Sequence, residues 1–185
     1  MTNKQATPKA AAPAMPNAAM SMSADARASM RVTEKAVYKY YNDMGKNKGN
    51  CTWGAGLLAH KGVCSADELG RLVNAQSVDI VFAQKVTEAE GIVRRNVQVA
   101  LNQAQFDALC SLTYNAGPTG ASDTFQLLNR GDFVGAAANI NNMIKVSVVK
   151  NGKKSKVIAP GLIKRRAEES APFRVQPAAA SASTK

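Results

Sequence analysis

The sequence predicts an α+β fold, mostly helical, with a small β region after the first helix and a long central helix. Three observations carry that prediction. Apolar residues recur every three or four positions through 77–93, 106–113 and 133–144, the period of helices with one buried face. One glycine-rich segment, Asp43 to Cys64, breaks that period and holds two adjoining β-favouring residues, Thr52 and Trp53. Later, Lys145 to Ile158 carries valines on both sides of Asn151-Gly152, a pair suited to a tight hairpin turn.

Taken in order, residues 1–28 are rich in Ala, Pro, Met and Ser without apolar periodicity and are expected to be disordered. The folded domain is expected over 29–174, with a second disordered tail over 175–185. A chain of 185 residues has room for one such domain around a single core. Ala28 to Asn42 reads as the first helix, with Met30, Val37 and Tyr41 near one face. Ser65-Ala66-Asp67-Glu68 has capping-box spacing and opens a second helix. A longer one runs from about Ser77 to Val93, with Val78, Phe82, Val86, Ala89 and Val93 in register. Phe106, Leu109, Cys110 and Thr113 share a face of the next, which Gly117-Pro118-Thr119-Gly120 stops. Short helices are expected at Ser122–Asn129 and Asp132–Ile144. Pro160 opens the last, to about Ala171.

The net charge of +11 predicts attraction to polyanions: nucleic acid, anionic membrane surfaces or cell-wall polymers. Lys145 to Arg166 holds eight Lys and Arg and no acidic residue. That stretch is either a soluble exposed hairpin or an electrostatic grip on anionic envelope polymers. No zinc motif, RNA-binding aromatic pair or recognition-helix pattern accompanies the charge, so nucleic acid is not the expected partner. No apolar run approaches the ~18–20 residues that span a bilayer, and no apolar segment of signal-peptide type follows Lys4 and Lys9. Work outside the cytoplasm would then need separate export or release.

Cys51 and Cys64 bracket the glycine-rich segment, either as a bridge or as two reduced thiols. Cys110, in an apolar helical pattern, reads as a buried small hydrophobe. His60 is the single histidine, and without ligand-spaced companions it is read as a hydrogen-bonding residue of the hairpin and not as a metal ligand. Trp53 reads as a packing anchor more than a sugar platform.

Glycoside hydrolysis needs a proton donor for the leaving oxygen and a second carboxylate to direct water or stabilise the sugar cation. Glu34, near a helix end, and Asp43, nine residues on, fit those parts. Taken alone the pair is weak, since exposed helical carboxylates are usually only solvated. Its surroundings add to it. Glu34-Lys-Ala-Val-Tyr-Lys-Tyr-Tyr-Asn-Asp43 followed by Cys51-Thr-Trp-Gly-Ala-Gly56 resembles the active-site region of phage-type lysozymes, the endolysin muramidases. Residues 99–117, VALNQAQFDALCSLTYNAG, are similar to that family's central helix. FQLLNRGDFVGAAANI and PGLIKRRAEESAPF are similar to its later helices, in the same order. The likeness covers roughly residues 28 to 174.

The resemblance implies a lysozyme-like fold and a catalytic set of Glu34, Asp43 and Thr52. It implies hydrolysis of the bond between N-acetylmuramic acid and N-acetylglucosamine in peptidoglycan, with lysis of the bacterial cell wall. Glu34 would donate the proton, helped by partial burial. Asp43, kept ionised, and the Thr52 hydroxyl would position water or stabilise the oxocarbenium-like state. Inversion, a monomer, and no metal or organic cofactor are also implied. Two other readings stand beside this one: a lytic transglycosylase on a similar fold, and a non-enzymatic basic module binding lipopolysaccharide or nucleic acid. Asn115, at a polar position of the central helix, is expected to cap a buried backbone group. Arg165 and Arg166 are read as a solvated face in preference to a contact with Glu34.

Overall fold

The computed structural model describes residues 15–34, 37–54, 56–150 and 153–175. The disorder expected of 1–14 and 176–185, and the turn expected at Asn151-Gly152, lie outside the described residues.

Residues 15–28 pack against the helices, which corrects the expected boundary at 28. Asn17 is fully buried. Its amide donates to the carbonyls of Val97 and Val99 at 3.0 and 2.9 Å, and its oxygen accepts from the Leu101 amide at 3.1 Å. One asparagine thus satisfies three backbone groups, one buried and two partly so, which composition alone does not reveal. Helix α1 (Ala24–Thr33) follows. Ser23 caps its start, accepting from the Ala26 amide while donating its hydroxyl to Asp107 at 2.6 Å. Glu34 closes it, its amide bonded to the Met30 carbonyl.

The expected continuation of this helix to Asn42 is wrong. Val37–Asn42 is a strand, β1, antiparallel to β2 (Cys51–Gly54), which pairs in turn with β3 (Leu57–His60). The spacing of Val37 and Tyr41 suits a helix face. Four of the six residues from Val37 to Asn42 are β-branched or aromatic, however, and a partner strand decides the outcome. The register sets Tyr40 opposite Trp53 and Tyr41 opposite Thr52.

Helix α2 (Ala66–Gly70) starts at the expected capping box, with Ser65 and Glu68 bonded reciprocally. Helix α3 (Ala75–Asn96) is longer than expected at both ends and buries Val78, Phe82, Val86, Ala89 and Val93. Helix α4 (Gln103–Asn129) buries Phe106, Leu109, Cys110 and Thr113 and kinks at Gly117, whose φ of 72° only glycine adopts readily. The segment Gly117–Gly120, expected to stop the helix ahead of a separate one at Ser122–Asn129, only kinks it. Pro118 sits in the first turn of the second half, where its missing N–H costs nothing. Helix α5 (Phe133–Asn142), the hairpin β4 (Lys145–Lys150) and β5 (Lys153–Ile158), and helix α6 (Pro160–Ser170) complete the domain with a short 3-10 turn, Ala171–Phe173. Phe106, Leu109, Leu112, Leu128, Ile140 and Phe173 sit at the centre of the helical core, all fully buried.

Candidate active site

Where α1 ends against α6, the Glu34 side chain meets Arg165. The guanidinium donates Nη1–H to Glu34 Oε1, Nε–H to Glu169 Oε1 at 2.9 Å, and Nη2–H to the Ser111 carbonyl at 3.2 Å. Side-chain exposures of 16, 11 and 4% for Glu34, Arg165 and Glu169 make this a largely desolvated ion cluster. Burial opposes the charge on Arg165, but the two carboxylates outweigh it and hold the guanidinium above its ordinary range. Arg166 donates to the other oxygen of Glu169, to the Met143 carbonyl and to Asn115 Oδ1.

Two expectations are corrected here. Arg165 and Arg166 do not form a solvated face, and Asn115 accepts from Arg166 instead of capping a backbone group. The signal was present in the sequence. Glu169 stands four residues after Arg165 and three after Arg166, the spacings of facing helix neighbours.

Across from Glu34, Asp43 follows the end of β1 and is exposed. Its Oδ1 accepts from the Asn50 amide at 2.8 Å, and its Oδ2 from the Asn50 side-chain amide at 3.3 Å. Thr52 is buried, 4% exposed, and donates its hydroxyl to the Asn50 carbonyl at 3.3 Å. Tyr41 joins the two sides. Its phenol is pushed up first by burial, then by the charges of Asp43 and Glu34, against a bond with the Gly56 backbone. Tyr114 is pushed up to about 12 by burial and then by Glu34. The strand register thus sets Tyr41 opposite Thr52, and the charges of both Asp43 and Glu34 reach its phenol. Tyr41 and Asn50 are the residues that sequence reasoning missed, while for Arg165 it weighs the contact with Glu34 and prefers a solvated face.

Other candidates fall away from this centre. Tyr40 and Trp53 are one residue out of phase with Tyr41 and Thr52 and so lie on the other face of the sheet. Trp53 stacks on Tyr40, with ring centroids 6.2 Å apart, and packs as expected. His60 contacts the Lys61 carbonyl and Glu68 Oε1, at 3.0 and 2.9 Å. The carbonyl contact, then the carboxylate, pushes it above its ordinary value. Cys51 and Cys64 form a disulfide. The nearby donors Cys51, His60 and Glu68 lie within 4.8 Å of one another, but the sulfur is bound to Cys64 and the other two bond each other. No helix among the described residues is long and apolar enough to cross a membrane.

A helix end bearing one carboxyl, set against a small sheet bearing another, is the arrangement of a lysozyme-type, glycan-cleaving enzyme. The chain belongs to the phage lysozyme family, whose sequence model matches residues 32–169. It is 30% identical over 148 residues to an endolysin of Acyrthosiphon pisum secondary endosymbiont phage 1, spanning 78% of this chain and 98% of that one. Among solved structures it is similar to an endolysin from Escherichia coli O157:H7 phage FAHEc1, with a TM-score of 0.66 and 28% identity over 84% of this chain and 94% of that one. It is also similar to the muramidase domain of SpmX from Asticaccaulis excentricus, with a TM-score of 0.62 and 25% identity over 83 and 97%. The protein is a lysozyme-like, peptidoglycan-lytic enzyme.

Proposed function

We propose that the protein is an N-acetylmuramidase that hydrolyses the bond between N-acetylmuramic acid and N-acetylglucosamine, acting on the cell wall after release or export. The observation that supports this reading is the strand register that sets Tyr41 opposite Thr52 and two residues before Asp43, with the charges of both Asp43 and Glu34 reaching the half-buried Tyr41 phenol. Arg165 engages Oε1 of Glu34, which leaves Oε2 as the oxygen to hand a proton to the glycosidic oxygen. Asp43 accepts two hydrogen bonds from Asn50 and keeps further lone pairs for a water. That water, shared with the Thr52 hydroxyl, attacks the anomeric carbon from the opposite face, which inverts its configuration.

A transglycosylase would need the acid alone and leave anhydro-sugar ends. Mass spectrometry of digested sacculi tests the choice. Reducing N-acetylmuramic acid ends are expected, and predominantly anhydro ends would overturn the hydrolytic reading.

The second proposed contact is between the basic 145–166 region and anionic envelope polymers. Lys145 and Lys156, both exposed, border a cavity of about 720 Å³ together with Arg166, Asn115 and Asn142, and no carboxylate lines it. Exposed cations of this kind act over roughly 8–10 Å at physiological salt. The protein works as a monomer in this reading.

A further inference from the structure

We propose that Asn50 is a positioning residue that holds Asp43 and Thr52 as one unit, an inference that rests on the catalytic reading of Asp43. Nine positions separate Asp43 from Thr52 in the sequence, and a loop of that length would by itself leave their relative placement poorly defined. Asn50 removes that freedom. Its amide and side-chain amide occupy one site on each oxygen of Asp43, and its carbonyl accepts both the Asp43 amide at 3.1 Å and the Thr52 hydroxyl at 3.3 Å. Its side-chain oxygen accepts from the Gly62 amide at 3.3 Å, and the next residue, Cys51, donates to the Gly62 carbonyl. Asn50 is thereby fixed to the segment that the Cys51–Cys64 disulfide closes.

The intervening loop is built to close on this contact. Gly45, Asn47 and Gly49 all have positive φ, at 94, 57 and 82°. The chain therefore curls back within a few residues, and its ends meet at Asp43 and Asn50. At Gly49 a Cβ would stand 1.9 Å from Asp43 Oδ1, so only glycine lets the loop approach the carboxylate this closely. The loop's length is absorbed between two bonded ends and does not reach the Asp43–Thr52 geometry. Asn50 uses one donor on each carboxylate oxygen and leaves the remaining lone pairs outward, where Asp43 is exposed.

The test measures kcat and KM of the full chain on purified sacculi for Asn50→Ala, Asp43→Asn and the double variant, with thermal unfolding in parallel. Asn50→Ala removes the side-chain bonds to Asp43 and Gly62 while the backbone bonds stay. It should lower kcat roughly tenfold, the worth of one hydrogen bond to a charged group, with KM unchanged. In the Asp43→Asn background the same substitution should change kcat less than twofold, because its effect passes through the carboxylate. If Asn50→Ala unfolds, Asn50→Gln keeps the amide but displaces it by one methylene, and the same loss in kcat alone is expected. Wild-type kcat in the folded variant, or an equal loss with and without Asp43, would overturn the inference. Full activity of Asp43→Asn would instead overturn the catalytic reading of Asp43 itself.

Discussion

The helical body and the three-stranded sheet hold their halves of the site by different physics. Helices α3 to α6 surround a core of fully buried side chains, and the acid side of the site is fixed on them through a desolvated ion cluster. The sheet region buries far less. Around Asp43 and Thr52 its structure rests on backbone pairing, the Asn50 hydrogen bonds and one disulfide, with Cys51, Leu57 and Cys64 as buried apolar residues. One carboxyl is held by a largely desolvated ion pair, the other by polar ties close to solvent. That difference suits a donor that must keep its aim and a second carboxylate that must stay open to water.

Arg165 offers the hardest test of the rigid half. Removing it leaves Glu34 and Glu169 facing a vacated, desolvated position. Arg165→Met should therefore cost about 3–5 kcal/mol in denaturant unfolding, as loss of one partner from a buried ion cluster does. Lys164, next to it, pairs with Glu168 on the surface and is 88% exposed. Lys164→Ala should change stability by less than about 0.5 kcal/mol. Equal effects for the two would erase the contrast.

The softer half is probed by replacing Cys51 and Cys64 together with Ala. Their separation of 13 residues limits the entropic loss to about 3 kcal/mol. Hydrogen exchange should show lost protection in β2 and β3 while α3 and α4 keep theirs. Truncating Leu109 to Ala, at about 2–5 kcal/mol, should instead lower protection throughout the helices. A disulfide variant that weakens α3 and α4 as much as β2 and β3 would mean that the two regions unfold as one.

These halves were also unequally legible in the sequence. Helices α3, α4 and α5 announce themselves because each repeats its apolar period over several turns, and the capping box and Pro160 mark the starts of α2 and α6 by local chemistry. Strand β1 does not, because Val37 and Tyr41 satisfy a helical spacing that only the pairing with β2 overrules. Residues 15–23 hid behind a low-complexity composition, since their anchors reach across the chain: Asn17 bonds a carbonyl 80 positions away. The contact of Arg165 with Glu34 spans 131 positions. Glu34, Asp43 and Thr52 could be singled out because their neighbours resemble a known pattern. Asn50 and Tyr41 carry no such mark, and only the folded loop and the strand register bring them beside the carboxylates.

A smaller effect is expected from the basic hairpin. Changing Lys145, Lys150, Lys153, Lys154 and Lys156 to Gln should weaken retention on sacculi and flatten the fall of activity with ionic strength. Cleavage of a short neutral oligosaccharide should hardly change. An unaltered salt dependence would make the hairpin a solvated decoration of the fold.

The central claim, that Glu34 is the proton donor, is tested most directly by Glu34→Gln. Arg165 keeps Glu169 and Ser111 as partners in this variant, so the helical body should remain folded by circular dichroism. Turbidity clearing of purified peptidoglycan should fall by about 10²–10⁴-fold, the range that a positioned general acid supplies. A folded Glu34→Gln protein that clears at close to the wild-type rate would contradict the account.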